Sequence, residues 1–184
     1  MSFCITSAIP RNCNENCAGG IGRIFIAPAD AIDAVTLAAD GTVDAITVLS
    51  GGQFFEYEPY QETGNFTETL AREQGNTAVT STILGVFICR SQEKRNAIMD
   101  LASCTCGLVV VWEEASGKRF IMGLEQRQNT ALPFGRAAQL TAGEGTTGTA
   151  IGDNNQESIT IEAISAAKAR ELDAAVSLPL TPVP

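Results

Sequence analysis

Residues 91–126 read SQEKRNAIMDLASCTCGLVVVWEEASGKRFIMGLEQ, and their order decides what class of fold the chain adopts. Ser91 is a residue type that caps helix N-termini, Gln92 and Glu93 follow in the first turn, and Ile98, Leu101 and Ala102 fall on one face at helical spacing. A helix packing through those three residues is therefore expected, with Gly107 ending it or beginning the next turn. Directly after it, Leu108 to Trp112 form an uninterrupted apolar run, the pattern of a strand buried on both faces. Ser116 and Gly117 supply a turn, and Arg119 to Gln128 return as the partner strand. One helix thus runs straight into a β-hairpin.

Upstream, Ile21 to Ile26 is a short β-favouring run stopped by Pro28, and Ala29 to Leu37 reads as weakly helical or irregular. Asp40-Gly41 is a turn signal followed by Val43, Ala45, Thr47 and Leu49 in period two, a strand after a hairpin turn. Strands are expected near 53–58 and 77–90. The stretch between them, Glu58 to Asn76, is too long for a tight turn and reads as an extended polar loop, a candidate contact arm. Downstream, Thr141 to Gly152 is Gly/Thr-rich, a loop or edge, before a strand over Ser158 to Ile164. The expected class is mainly β (α+β): an antiparallel β-sandwich or barrel with one flanking helix. The expected organisation is an arm over 1–20, a β domain over 21–170 and an extended tail over 171–184, which ends SLPLTPVP.

Composition narrows the function classes. A chain of 184 residues, 45% hydrophobic, is long enough for one core without disulfides or a metal. Its formal net charge of −9 repels nucleic-acid phosphates, which argues against sequence-reading of DNA. There is no histidine, so the commonest general base and metal ligand is missing, and with it every Ser-His or Cys-His nucleophile pair. Glu56, Glu58, Glu113 and Glu114 are carboxylates at strand ends with no partner nucleophile, the pattern of a solvated surface. The longest apolar run is far shorter than the roughly 20 residues of a membrane span, and the N-terminus lacks a basic start and apolar core, so a cytoplasmic product is expected.

The six cysteines are Cys4, Cys13, Cys17, Cys89, Cys104 and Cys106. Four thiolates from Cys13, Cys17, Cys104 and Cys106 would make a structural zinc site, but the single residue between the last two fits the usual ligand spacing poorly. Cys89 and Cys104 read more simply as small buried apolar residues. Gly19, Gly20 and Gly22 precede a strand instead of following one, so they are no dinucleotide fingerprint. No catalytic equipment is expected, and no cofactor or metal; the residues point to binding or assembly.

The order of these elements resembles the tail tube proteins of tailed bacteriophages, whose fold is shared with the tubes of contractile injection systems. The resemblance is carried by DAITVLSGGQFFEYEP (44–59), the long segment after it, SQEKRNAIMDLASC (91–104), GLVVVWEEASGKRFIMGLEQ (107–126) and TGTAIGDNNQESITIEAI (147–164), and covers about residues 20–165. It implies a virion protein, made in the host bacterial cytoplasm, that forms homohexameric rings. The rings stack into a tube, with strands of each copy completing a barrel around a lumen that conducts DNA without binding it specifically. The partners implied are further copies of the chain and other tail proteins, with no membrane. Phe66 and Leu70, with Phe3 and Ile5 of the arm, would then be contact residues between copies or rings. Two alternatives are another ring-forming tail component of the same fold, such as a terminator or baseplate ring, and a zinc-stabilised cytosolic binding domain.

Overall fold

A computed structural model describes residues 19–73, 75–150 and 152–180. Eleven strands and one helix follow one another as β1 (Ile21–Pro28), β2 (Ile32–Leu37), β3 (Val43–Val48), β4 (Phe55–Tyr57), β5 (Asn65–Glu73), β6 (Asn76–Ile88), α1 (Gln92–Ser103), β7 (Leu108–Glu114), β8 (Arg119–Met122), β9 (Gln139–Thr146), β10 (Gln156–Ser165) and β11 (Arg170–Leu172). A single 3-10 turn, Ala29–Ala31, joins β1 to β2. Among the described residues the chain is mainly β with one α-helix. Its strands form a seven-stranded sheet, β2-β3-β11-β8-β7-β1-β4, and a four-stranded sheet, β5-β6-β10-β9.

β7 explains both the pairing and the core. All five residues from Leu108 to Trp112 are buried, because apolar clusters cover both faces of the strand. Leu108, Val110 and Trp112 face a cluster shared with Ile83, Phe87, Ile159 and Ile161 of the four-stranded sheet and Leu101 of the helix. Val109 and Val111 face a second cluster with Phe25, Val35, Val43, Phe54, Leu172, Val176 and Leu178. Period-two strands that bury only one face, β6 and β10, alternate buried and partly exposed residues along their length. Burying these side chains is what holds the two sheets together.

Several sequence expectations change here. Ala29 to Leu37 is neither helical nor irregular after residue 31: β2 is a strand, antiparallel to β3 from Ile32↔Val48 to Leu37↔Val43. The partner strand of the 107–126 hairpin ends at Met122 instead of Gln128, because Gly123 takes φ +83° and a side chain there would collide with the Leu108 carbonyl. The extended tail expected from 171 is docked on the core over its described residues. β11 pairs with β8 and β3, Val176 and Leu178 are buried, and Phe54 bridges to Leu180, so the chain stays docked on the second cluster to residue 180.

The helix forms where expected. The Ser91 hydroxyl accepts a hydrogen bond from the Lys94 amide at 3.2 Å, and Leu101 is buried with Ile98 packed beside it. Ala102 is exposed, contrary to expectation. The buried stripe passes through 94, 97, 98 and 101, and at 100° per residue Ala102 stands about 90° from its centre. Three residues at helical spacing define a face only when its centre is known.

Candidate assembly surface

Among the described residues both sheets end on strands that pair on one side only, but the seven-stranded sheet ends on β2 and β4, six and three residues long, and the longer open edges belong to the four-stranded sheet. β6 and β10 pair over ten residues, from Gln156↔Ile88 to Ser165↔Val79, and form its middle. β5 lies outside β6, in register from Asn65↔Leu84 to Glu73↔Asn76, and β9 lies outside β10, from Gln156↔Thr146 to Glu162↔Gln139. Among the described residues no strand pairs with the far side of β5 or β9. The two edges are nine and eight residues long. Edge strands are usually guarded by proline, lysine or brevity. β9, QLTAGEGT, carries neither residue type and has one irregularity, between its pairings with Thr160 and Ile161.

Residues 65–73 of the Glu58–Asn76 segment are therefore a strand and not part of a long loop. Its first part, Glu58 to Thr63, hangs on β6 through the Tyr60 amide, which donates to the Val86 carbonyl at 2.7 Å. Phe66 does not reach outward. Its ring stacks on Trp112 at 4.2 Å, and Trp112 stacks on Phe120 at 5.7 Å, so Phe66 ties β5 to the shared core. Trp112 is fully buried, and its indole N–H has no hydrogen-bond partner among the described residues. Leu70, on the same face further along β5, is 56% exposed. Phe3 and Ile5 lie outside the described residues.

Two inward-facing carboxylates brace this sheet, and the sequence reading passed over both. Glu68, at an edge-strand position flanked by Phe66 and Leu70, accepts from the Ser81 hydroxyl at 3.2 Å and the Ala169 amide at 2.7 Å, and stands 3.4 Å from Lys168 Nζ. An inward charge satisfied in this way also discourages register slips of an edge strand. Glu157, buried on β10, pairs with Arg90 at 2.6 Å. The facing residues on β9 are Gly143 and Gly145, and their missing side chains leave room for Ile98 of α1 and for the Glu157 carboxylate. The glycines that made this stretch read as a loop or an edge are thus what lets the helix and an ion pair lie against an edge strand.

The opposite face of the sheet has a different character. Thr67 pairs with Thr82 and Thr69 with Thr80, Ser158 and Thr160 continue these hydroxyls across β10, and Leu84 and Ile164 are exposed apolar residues among them. Glu144 and Glu162 are its charged members, and no lysine or arginine lies on it among the described residues. Away from this sheet, Arg23 binds Glu113 at 2.9 Å and Glu56 at 3.4 Å, so those strand-end carboxylates are ion-paired surface groups; the same two glutamates hold the Arg23 guanidinium's pKa above its ordinary value. Burial pushes the Tyr57 hydroxyl up to about 12, with Asp100 and Cys104 adding to the effect.

Cys89 is exposed with φ +60°, a correction to its reading as a buried apolar residue, and Cys106 is exposed too. Cys104 is partly buried, and burial, then Asp30 and Cys106, raise its thiol pKa. These three are free thiols; Cys4, Cys13 and Cys17 lie outside the described residues. Among the described residues no group of three or more potential ligands stands close enough to hold a metal ion, and no helix is long and apolar enough to cross a membrane. Comparison with protein-family models, with curated proteins and with solved structures found no match.

Proposed function

We propose that this chain is a structural subunit that closes with identical copies into hexameric rings, and that the rings stack into a bacteriophage tail tube conducting DNA. The observation that carries the reading is the four-stranded sheet, which among the described residues is open along both long edges and free of cations on its exposed face. Its four strands alternate in direction, so the β9 edge of one copy meets the β5 edge of the next antiparallel. A ring of copies then becomes an unbroken antiparallel cylinder with no exposed edge. This cation-free face of hydroxyls, with Leu84 and Ile164 exposed among them, would line the lumen, where a neutral to acidic wall lets a polyanion slide without sticking.

Magnitudes indicate that the seam works together with other contacts. Roughly one backbone hydrogen bond per residue over an eight-residue strand contributes about 4 to 12 kcal/mol at ~0.5 to 1.5 kcal/mol each. Association costs on the order of 4 to 15 kcal/mol. Edge pairing alone is marginal, so exposed apolar groups near the seam, Leu70 and Met99 among them, are expected to be covered in the ring. The role calls for no catalysis, cofactor or membrane; its partners are further copies and other tail proteins.

Negative-stain microscopy of the purified chain tests the proposal. Hollow rings and stacks of rings are the expected images. Rings that never stack would favour a terminator or baseplate component of the same fold. Monodisperse single subunits at high concentration would refute ring formation.

A further inference from the structure

The two ends of the four-stranded sheet carry different and complementary surfaces. At the end where β10 finishes, residues 134–136 run beside it: Gly135 bridges to Ser165, the Arg136 amide donates to the Ile164 carbonyl at 2.9 Å, and the Ala166 amide donates to the Phe134 carbonyl at 2.8 Å. Phe134 is 69% exposed there. Arg136 is also exposed, and its guanidinium has no partner among the described residues. Lys168 stands close by, with a side chain 67% exposed although it reaches Glu68. In a chain of net charge −9, this end is an aromatic knob beside cations.

At the other end, where β6 finishes, the segment Glu58-Pro59-Tyr60-Gln61-Glu62 is held by the hydrogen bond from the Tyr60 amide to Val86 and by the Thr63 hydroxyl on the Tyr60 carbonyl at 2.6 Å. Glu58, Tyr60 and Glu62 are all exposed, and neither glutamate has a partner among the described residues. Glu62 sits at φ +61°, so the local fold holds a non-glycine residue in a conformation it ordinarily avoids. The cations nearest this end are largely engaged within the chain: Arg90 is on Glu157 and Lys94 Nζ is on the Ile88 and Cys89 carbonyls, which leaves Arg95 on the helix.

We propose that the Phe134–Arg136–Lys168 end of one copy seats the Glu58–Tyr60–Glu62 end of a second copy, and that this contact stacks one ring on the next. The inference deepens the tube reading and rests on it. Charge and aromatic complementarity select the occupant. Two different patches at opposite ends of one element make a head-to-tail contact that repeats without closing, the geometry of an open stack. Opposite charges at such a contact fix which end meets which, since like ends would bring cation to cation and carboxylate to carboxylate.

The test is charge reversal in the full chain: Arg136→Glu, Glu62→Arg and the two combined, read by microscopy for ring formation and tube length. Circular dichroism confirms that each variant is folded. Each single change should leave rings intact and shorten stacks at least about tenfold, because like charges replace a complementary pair. The combined variant should recover length, and wild-type stacks should shorten as salt rises. Single variants that stack like wild type, or a combined variant no better than either alone, overturn the stacking contact while leaving ring closure standing. A wild-type chain that forms no rings overturns both.

Discussion

The contrast between Gly143 and Gly145 puts a number on how the edge strand β9 is held. Both face the helix side of the sheet, two residues apart, and both have a φ that other residues accept. A methyl group at 143 would stand 3.4 Å from Ile98 Cγ2, a contact the end of that side chain can absorb. At 145 it would stand 2.9 Å from Glu157 Cδ and nearer still to Oε2, so the carboxylate must move off Arg90. Losing one partner of a buried ion pair costs about 3 to 5 kcal/mol. The Arg90 side chain is 24% exposed, so water recovers part of that, and about 2 kcal/mol is the working figure. Replacing glycine by alanine also stabilises by about 0.4 to 1 kcal/mol through the unfolded chain. Gly145→Ala should therefore be less stable than wild type by about 1 to 1.5 kcal/mol, and Gly143→Ala equal to it or slightly better. For a chain of this length the two variants should melt about 4 to 8 °C apart in thermal denaturation at one protein concentration. Equal melting temperatures would refute the argument that glycine at 145 makes room for the buried pair.

Phe66→Ala should cost about 2 to 3 kcal/mol in denaturant unfolding and shift the emission of Trp112, the single tryptophan, because it removes a ring stacked at 4.2 Å. Leu70→Asp should leave monomer stability within about 0.5 kcal/mol and weaken assembly in sedimentation, since that side chain is already in water. Tyr57 gives an alkaline signature. Its folded-state pKa of about 12 exceeds the ordinary 10, so the fold holds the phenol proton more tightly than the unfolded chain does. Its stabilisation is complete below about pH 10 and is lost as pH rises towards 12; ultraviolet titration should show one tyrosine ionising near pH 12, and Tyr57→Phe should flatten the loss of stability over that range. Thiol labelling at neutral pH should modify Cys89 and Cys106 faster than Cys104, which is partly buried and has a raised pKa.

What the sequence disclosed depended on whether a local pattern carried its own signal. The Ser91 cap, the apolar run of β7 and the Ser116-Gly117 turn are local, and each is where the pattern put it. β5 was missed because its core-facing positions read Phe66, Glu68, Leu70: a carboxylate in the middle of an apolar alternation hides the period, and only Ser81, Ala169 and Lys168, distant in sequence, make it acceptable there. The 141–152 stretch reads as a loop or an edge, and it holds most of the edge strand β9, left ambiguous for a related reason. Its glycines serve a helix packed from elsewhere in the chain, so no neighbour in sequence explains them. That the extended tail docks on the core was not legible because its anchors, Val43, Phe54 and Arg119, lie far upstream. The candidate surface was legible only in outline: net acidity and open β character were readable, whereas which strands form the edges is a property of pairing.

Ring closure through the two open edges is most directly tested by amide hydrogen exchange on residues 65–72 and 139–146, compared between dilute and concentrated protein. Assembly through these strands predicts that amides pointing away from β6 and β10 exchange freely in the dilute subunit. On assembly they should become protected by at least about a hundredfold, the equivalent of ~2.7 kcal/mol. If assembled particles form while both segments exchange as fast as in the monomer, the edges are not the seam.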